Sequence, residues 1–170
     1  MSDETTPSYA VTEIPKLADP QVLSEILFYT GIDVIRLYLS EDEGAAEQYS
    51  AIVFGVSAMF MDAESFVLPA GWTLPKVATH LREALRDDLA KLPREERELF
   101  SDDETMLTFA VVTCFNEATH YMSDWCARTG IHDTDAIIQG LLTDPVFENM
   151  FTLWANLILG DFAQTEKENE

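Results

Sequence analysis

SDDETMLTFAVVTCFNEATHYMSDWCARTG, residues 101–130, is the stretch whose periodicity decides the fold class. Leu107, Val111, Cys114, Ala118, Tyr121, Met122 and Trp125 recur every three to four residues, as one face of a long helix does. Ser101 and Glu104 have capping-box spacing, and Asp102, Asp103 and Glu104 put acid where the helix dipole is positive. Gly130 is placed to end the helix, because glycine tolerates the left-handed conformation of a C-cap.

The same period runs outward in both directions. Upstream, Pro93 separates a charged short helix over 94–100 from a helix over 74–92, whose stripe is Val77, Leu81, Leu85, Leu89 and Leu92. Residues 65–73, with Pro69 and Gly71, read as a loop whose Phe66 and Trp72 cover the core edge. A helix over 43–62 is apolar nearly all round, which predicts a central position. Ser40 and Glu43 are spaced to cap it. Asp19-Pro20 starts the first helix, since Asp caps and Pro needs no N–H at the first helical position. Gly31 marks an expected kink in it.

Downstream, Asp133 or Thr134 caps a short helix through Ile137, Ile138, Leu141 and Leu142. Asp144-Pro145 repeats the device of Asp19-Pro20 and starts the last helix. Val146, Phe147, Met150, Phe151, Leu153, Trp154, Leu157, Ile158 and Phe162 cover about half of its circumference, wider than the ~100° stripe of a surface helix. Such breadth implies deep burial or a subunit interface, so a homodimer is compatible with it. Asn149, Thr152 and Asn156 form the remaining polar strip.

No stretch alternates at period two, and no repeat is visible. The reading is an all-α, single-domain helical bundle of about five to seven helices over residues 19–162. Residues 1–18 are expected to be a flexible arm, and 163–170 a polar tail.

Charge narrows the function classes. Asp and Glu number 31 against 10 Lys and Arg, for a net charge of -21. That field repels nucleic-acid phosphates and anionic membrane surfaces, which argues against direct nucleic-acid binding. The N-terminus shows no signal-peptide pattern, and the longest apolar run, 51–61, is shorter than the ~20 residues a membrane span needs. Cys114 and Cys126 lie roughly 18 Å apart along one helix, too far for a disulfide. Free thiols fit a reducing compartment, so the expected location is cytoplasmic.

The chemistry-bearing motifs are few. Glu117-Ala118-Thr119-His120 places a carboxylate and an imidazole on one helix face, as helical di-iron proteins do. A complete site needs two copies plus Glu from two further helices, and this chain has one copy. Glu117 and His120 share a polar arc with Asn116, Ser123 and Asp124, so a solvated face competes with a metal site. Cys114 falls on the apolar stripe, with no base or nucleophile motif beside it. Single scattered glycines give no phosphate-binding loop. No cofactor is expected. The acidic runs Glu41, Asp42, Glu43 and Asp102, Asp103, Glu104 are candidate contact surfaces, although helix capping explains both. Met59, Phe60, Met61, Met150, Phe151 and Trp154 read as core or as a wall for an apolar ligand.

Three function classes follow. The first is a non-enzymatic acidic bundle that binds a basic surface on a protein partner. The second is an enzyme or ligand-binding bundle using Glu117 and His120 or an apolar pocket. The third is a nucleic-acid mimic, which requires carboxylates spaced like phosphates.

Overall fold

In the computed structural model, residues 19–61 and 71–160 are described. They form eight helices and no strand: α1 (Pro20–Ser40), α2 (Ala45–Met59), α3 (Leu74–Ala84), α4 (Arg86–Ala90), α5 (Arg94–Leu99), α6 (Asp103–Thr129), α7 (Thr134–Leu142) and α8 (Pro145–Leu159). The expected arm over 1–18, the loop residues 65–70 with Phe66, Phe162 and the tail over 163–170 lie outside the described residues.

The axis of the bundle is α6. At 27 residues it is about 40 Å long. It packs against α1, α2, α3, α7 and α8. Leu107, Val111, Cys114, Ala118, Met122 and Trp125 are buried along it as the period predicts, and Met106, Ala110 and Phe115 widen the stripe. A helix surrounded by partners needs that width. Asp102, rather than Ser101, is its N-cap and accepts from the Thr105 amide at 3.0 Å. Ser101 instead donates to the Glu98 carbonyl at the end of α5. Gly130 closes the helix at φ 75°.

The other principal seam joins α1 to α8. Phe28, Phe147 and Phe151 meet edge to face across it, with ring centroids 5.0–5.8 Å apart. α1 runs as one continuous helix through Gly31. Its missing side chain makes room for Phe151: a Cβ there would stand 2.7 Å from the ring. Thr152, expected on the solvent strip, turns inward and pairs with Ser24 at 3.1 Å. Asn149 and Asn156 are exposed as expected. The apolar face of α8 is consumed largely by the fold, because Phe147, Phe151, Trp154, Ile158 and Leu159 are buried; Val146 and Leu153 remain outside.

Three expectations about boundaries are corrected. The helix over 74–92 breaks at Leu85 into α3 and α4, which raises the helix count to eight. The helix α2 is peripheral rather than central: only Val53, Val56 and Ser57 are buried, and Phe54 is 62% exposed. Apart from Phe54, its exposed apolar residues are Ala46, Ala51, Gly55 and Ala58, whose exposure forfeits little apolar burial. Ser40 does not cap α2. Its hydroxyl accepts from the Asp42 amide and donates to the Leu37 carbonyl, finishing α1, and α2 starts after Gly44.

Two side chains in the C-terminal half of α3 lock it to its neighbours. Arg82 donates to the Phe100 and Ser101 carbonyls at 2.7 and 3.0 Å and pairs with Asp103 at 2.6 Å. His80 Nε2 donates to the Leu157 carbonyl in the last turn of α8 at 2.8 Å. Gly160 lets that imidazole approach, with φ 53° and no Cβ to meet the ring. Trp72 stacks on Phe60, with centroids 5.6 Å apart, at the edge of the core as expected.

Candidate functional site: an acid-rimmed groove

A groove of about 500 Å³ opens where α1, α2 and α6 meet. The last turns of α1 supply Val34, Leu37 and Tyr38. The first turns of α2 supply Ala45, Ala46 and Tyr49. The middle of α6 supplies Asn116, Thr119, His120 and Ser123. The aliphatic groups and two tyrosines belong to α1 and α2, and the amide, aliphatic hydroxyl and imidazole groups to α6. Val34 is buried at the bottom, and Tyr38 is 60% exposed at the mouth. Burial raises the Tyr49 hydroxyl above its ordinary value, with the Cys114 thiol adding to the effect, so Tyr49 keeps its proton and can donate.

We call the α1–α2 connection, residues 41–44, the rim, because it joins the lining residues Tyr38 and Ala45. Glu41 takes a left-handed conformation at φ 57° to end α1, and Glu41, Asp42 and Glu43 are all exposed. Asp42 accepts from the Gln48 side chain at 3.2 Å, which anchors the turn to α2. Glu47 continues the acid into the first turn of α2. The other acidic run has a different fate. Asp102 caps α6, Asp103 is taken by Arg82, and only Glu104 has no ion-pair or capping role among the described residues. Hydrogen bonds from the Thr105 hydroxyl and amide hold the Asp102 carboxyl below the usual carboxylate range.

Glu117 and His120 are separated by the direction of their contacts. Glu117 Oε1 accepts from Trp154 Nε1 at 2.8 Å, towards α8. His120 lines the groove, towards α1 and α2. Among the described residues, no three His, Cys, Asp or Glu side chains stand together as a cluster able to hold a metal ion. Cys114 is buried, and desolvation, with nearby Glu117 second, pushes its thiol far above the ordinary value. It is a core thiol, not a nucleophile. Met150 and Trp154 pack in or against the core, as do Met59, Phe60 and Phe151; Met61 is exposed. The groove wall therefore comes from residues other than the Met and aromatic pairs singled out in the sequence.

The charge is unevenly divided. Over residues 74–100, Lys76, Arg82, Arg86, Lys91, Arg94 and Arg97 balance Glu83, Asp87, Asp88, Glu95, Glu96 and Glu98. This segment, α3 to α5, is neutral, so the excess of -21 belongs to the rest of the chain. Arg36 is the one cation between residues 17 and 75, and Arg128 the one between 98 and 166. Arg128 sits over the Tyr121 ring, 5.6 Å from its centroid. Among the described residues, no Lys or Arg lines the groove. The groove level of α6, near His120, lies about 25 Å along the axis from Asp103, where Arg82 docks.

Among the described residues, no helix is long and apolar enough to cross a membrane. No family model, no curated protein and no solved structure matches this chain, which leaves the groove and the charge division as the grounds for a functional reading.

Proposed function

We propose that the protein is a non-enzymatic binding module that holds a basic surface of a protein partner at the end of the bundle carrying Glu41, Asp42, Glu43 and Glu47. The supporting observation is the division of charge: the cations are concentrated in α3–α5, whereas the exposed Glu41, Asp42, Glu43 and Glu47 stand beside the recess residues Tyr38, Ala45 and Ala46 in the chain. Acid spread for solubility alone has no need of such a division. Complementary charge speeds encounter and rejects wrong partners, and the effect is screened by salt.

Charge reversal tests the reading. Partners captured from extract are purified and titrated against the wild type and two triple variants. Changing Glu41, Asp42 and Glu43 to Lys should weaken binding at least about tenfold. The same change at Glu95, Glu96 and Glu98, which alters net charge equally on α5, should have a much smaller effect. Affinity should fall steeply with added salt. Neutral or acidic partners bound without salt dependence would sink the proposal.

A small-molecule reading of the same groove has one observation in its favour. Its volume exceeds the ~300 Å³ at the low end of ligand pockets, and Asn116, His120, Ser123 and Tyr49 offer convergent polar groups. Small compounds that raise the thermal midpoint of the wild type, but not of Ala46→Arg, would favour it.

A further inference from the structure

We infer that the groove seats one face of a basic amphipathic helix: apolar side chains fill the recess, and Lys or Arg on its flanks meet the rim. This rests on the binding reading above and specifies the partner's chemistry. All three walls are helices. They expose no strand edge to which an extended peptide could add. A segment entering this recess must satisfy its own backbone, and a helix does so.

The walls define the apolar anchors. Leu37, Tyr38, Ala45 and Ala46 present carbon on two sides, with small alanines that allow close approach. An exposed tyrosine at the mouth is the kind of residue that dominates helix-in-groove contacts. The flanks define the charge, since the α1–α2 turn and the start of α2 carry Glu41, Asp42, Glu43 and Glu47, and no cation among the described residues lines the recess.

Charge also argues against the two other occupants. Residues 1–18 carry Asp3, Glu4 and Glu13 against Lys16, and 161–170 carry Asp161, Glu166, Glu168 and Glu170 against Lys167. Both segments of this chain are acidic, as a second copy would be, and the rim repels all of them.

The experiment uses three cationic probes of equal charge: a designed Leu/Lys peptide with Leu at helical i, i+3, i+4 and i+7 spacing, the same composition scrambled, and oligolysine. Calorimetry gives affinity, and circular dichroism gives peptide helicity. The patterned peptide should bind at least about tenfold tighter than the other two and gain helix on binding. Ala46→Arg, on an exposed helical position of the groove, should abolish that advantage. Glu148→Arg, the same substituted side chain on an exposed position of α8, should leave it in place.

Equal binding by the three probes, or equal losses in the two variants, overturns the groove as the seat while the acidic-surface reading survives. No binding by any probe at low salt overturns both. If the free protein sediments as a dimer that Ala46→Arg dissociates, the occupant is a second copy and the inference falls.

Discussion

At the scale of single residues, the two cysteines show how placement sets reactivity. Cys114 and Cys126 belong to one helix, twelve residues apart, yet only Cys114 is fully enclosed. Burial raises both thiols, Cys114 by far the more. A thiol reagent should therefore modify Cys126 first, and Cys114 only when the bundle is opened by denaturant. Mass spectrometry of peptides after timed alkylation would check the order. Cys114 reacting first in the native protein would contradict the packing around α6. The burial of Cys114 was legible from its position on the apolar stripe. The orientation of Glu117 was not. Its spacing to His120 suggested a shared face, but Trp154, 37 residues downstream, takes Glu117 into a hydrogen bond towards α8.

At the scale of elements, the caps carry a measurable share of stability. Asp144 caps α8 through the Val146 amide at 2.9 Å and accepts from the Tyr121 hydroxyl at 2.5 Å. Partial burial pushes its carboxyl up. Hydrogen bonds from Tyr121, Val146 and Phe147, with Arg128 nearby, outweigh that and hold it below the ordinary 3.8. A lowered carboxylate contributes stability that is complete above the unfolded value and is lost as pH falls through the folded one. Asp144→Ala should thus cost about 1–2 kcal/mol at pH 7. The gap from wild type should narrow as the pH falls below 3.8. Urea titrations at several pH values would measure it, and a gap independent of pH would refute the assignment.

The Asp-Pro starts at residues 19 and 144 were readable because a cap and a first-turn proline are both local. The break at Leu85 was not readable. The stripe of leucines continues through it, and the Arg82 contacts near the break involve carbonyls at residues 100 and 101. The groove escaped for the same reason. Val34, Tyr49 and His120 converge only through the packing of α1, α2 and α6. No short window of sequence holds them together.

At the scale of the whole molecule, charge and compactness oppose each other. A net charge of -21 repels itself more strongly when the chain is folded than when it is extended. Screening relieves the folded state, and the Debye length falls from ~10 Å at 0.1 M salt to ~3 Å at 1 M. The thermal midpoint should rise as sodium chloride is added across this range. A midpoint unchanged or lowered by salt would mean that attractive pairs, such as Arg82 with Asp103, outweigh the repulsion. The bundle class was legible at this scale because the 3.6-residue period recurs in helix after helix between Pro20 and Leu159. The division of charge was present in the order of residues and hidden by the whole-chain sum. It emerges once Lys76 to Arg97 are seen to occupy three consecutive helices.

The neutrality of α3–α5 gives the molecule a handedness towards other charges. In the field of a cation-bearing body it experiences a torque as well as a pull, and it turns its electronegative pole forward before touching. Collisions are then biased towards productive geometry, and ionic strength should act on the association rate constant far more than on the dissociation rate constant.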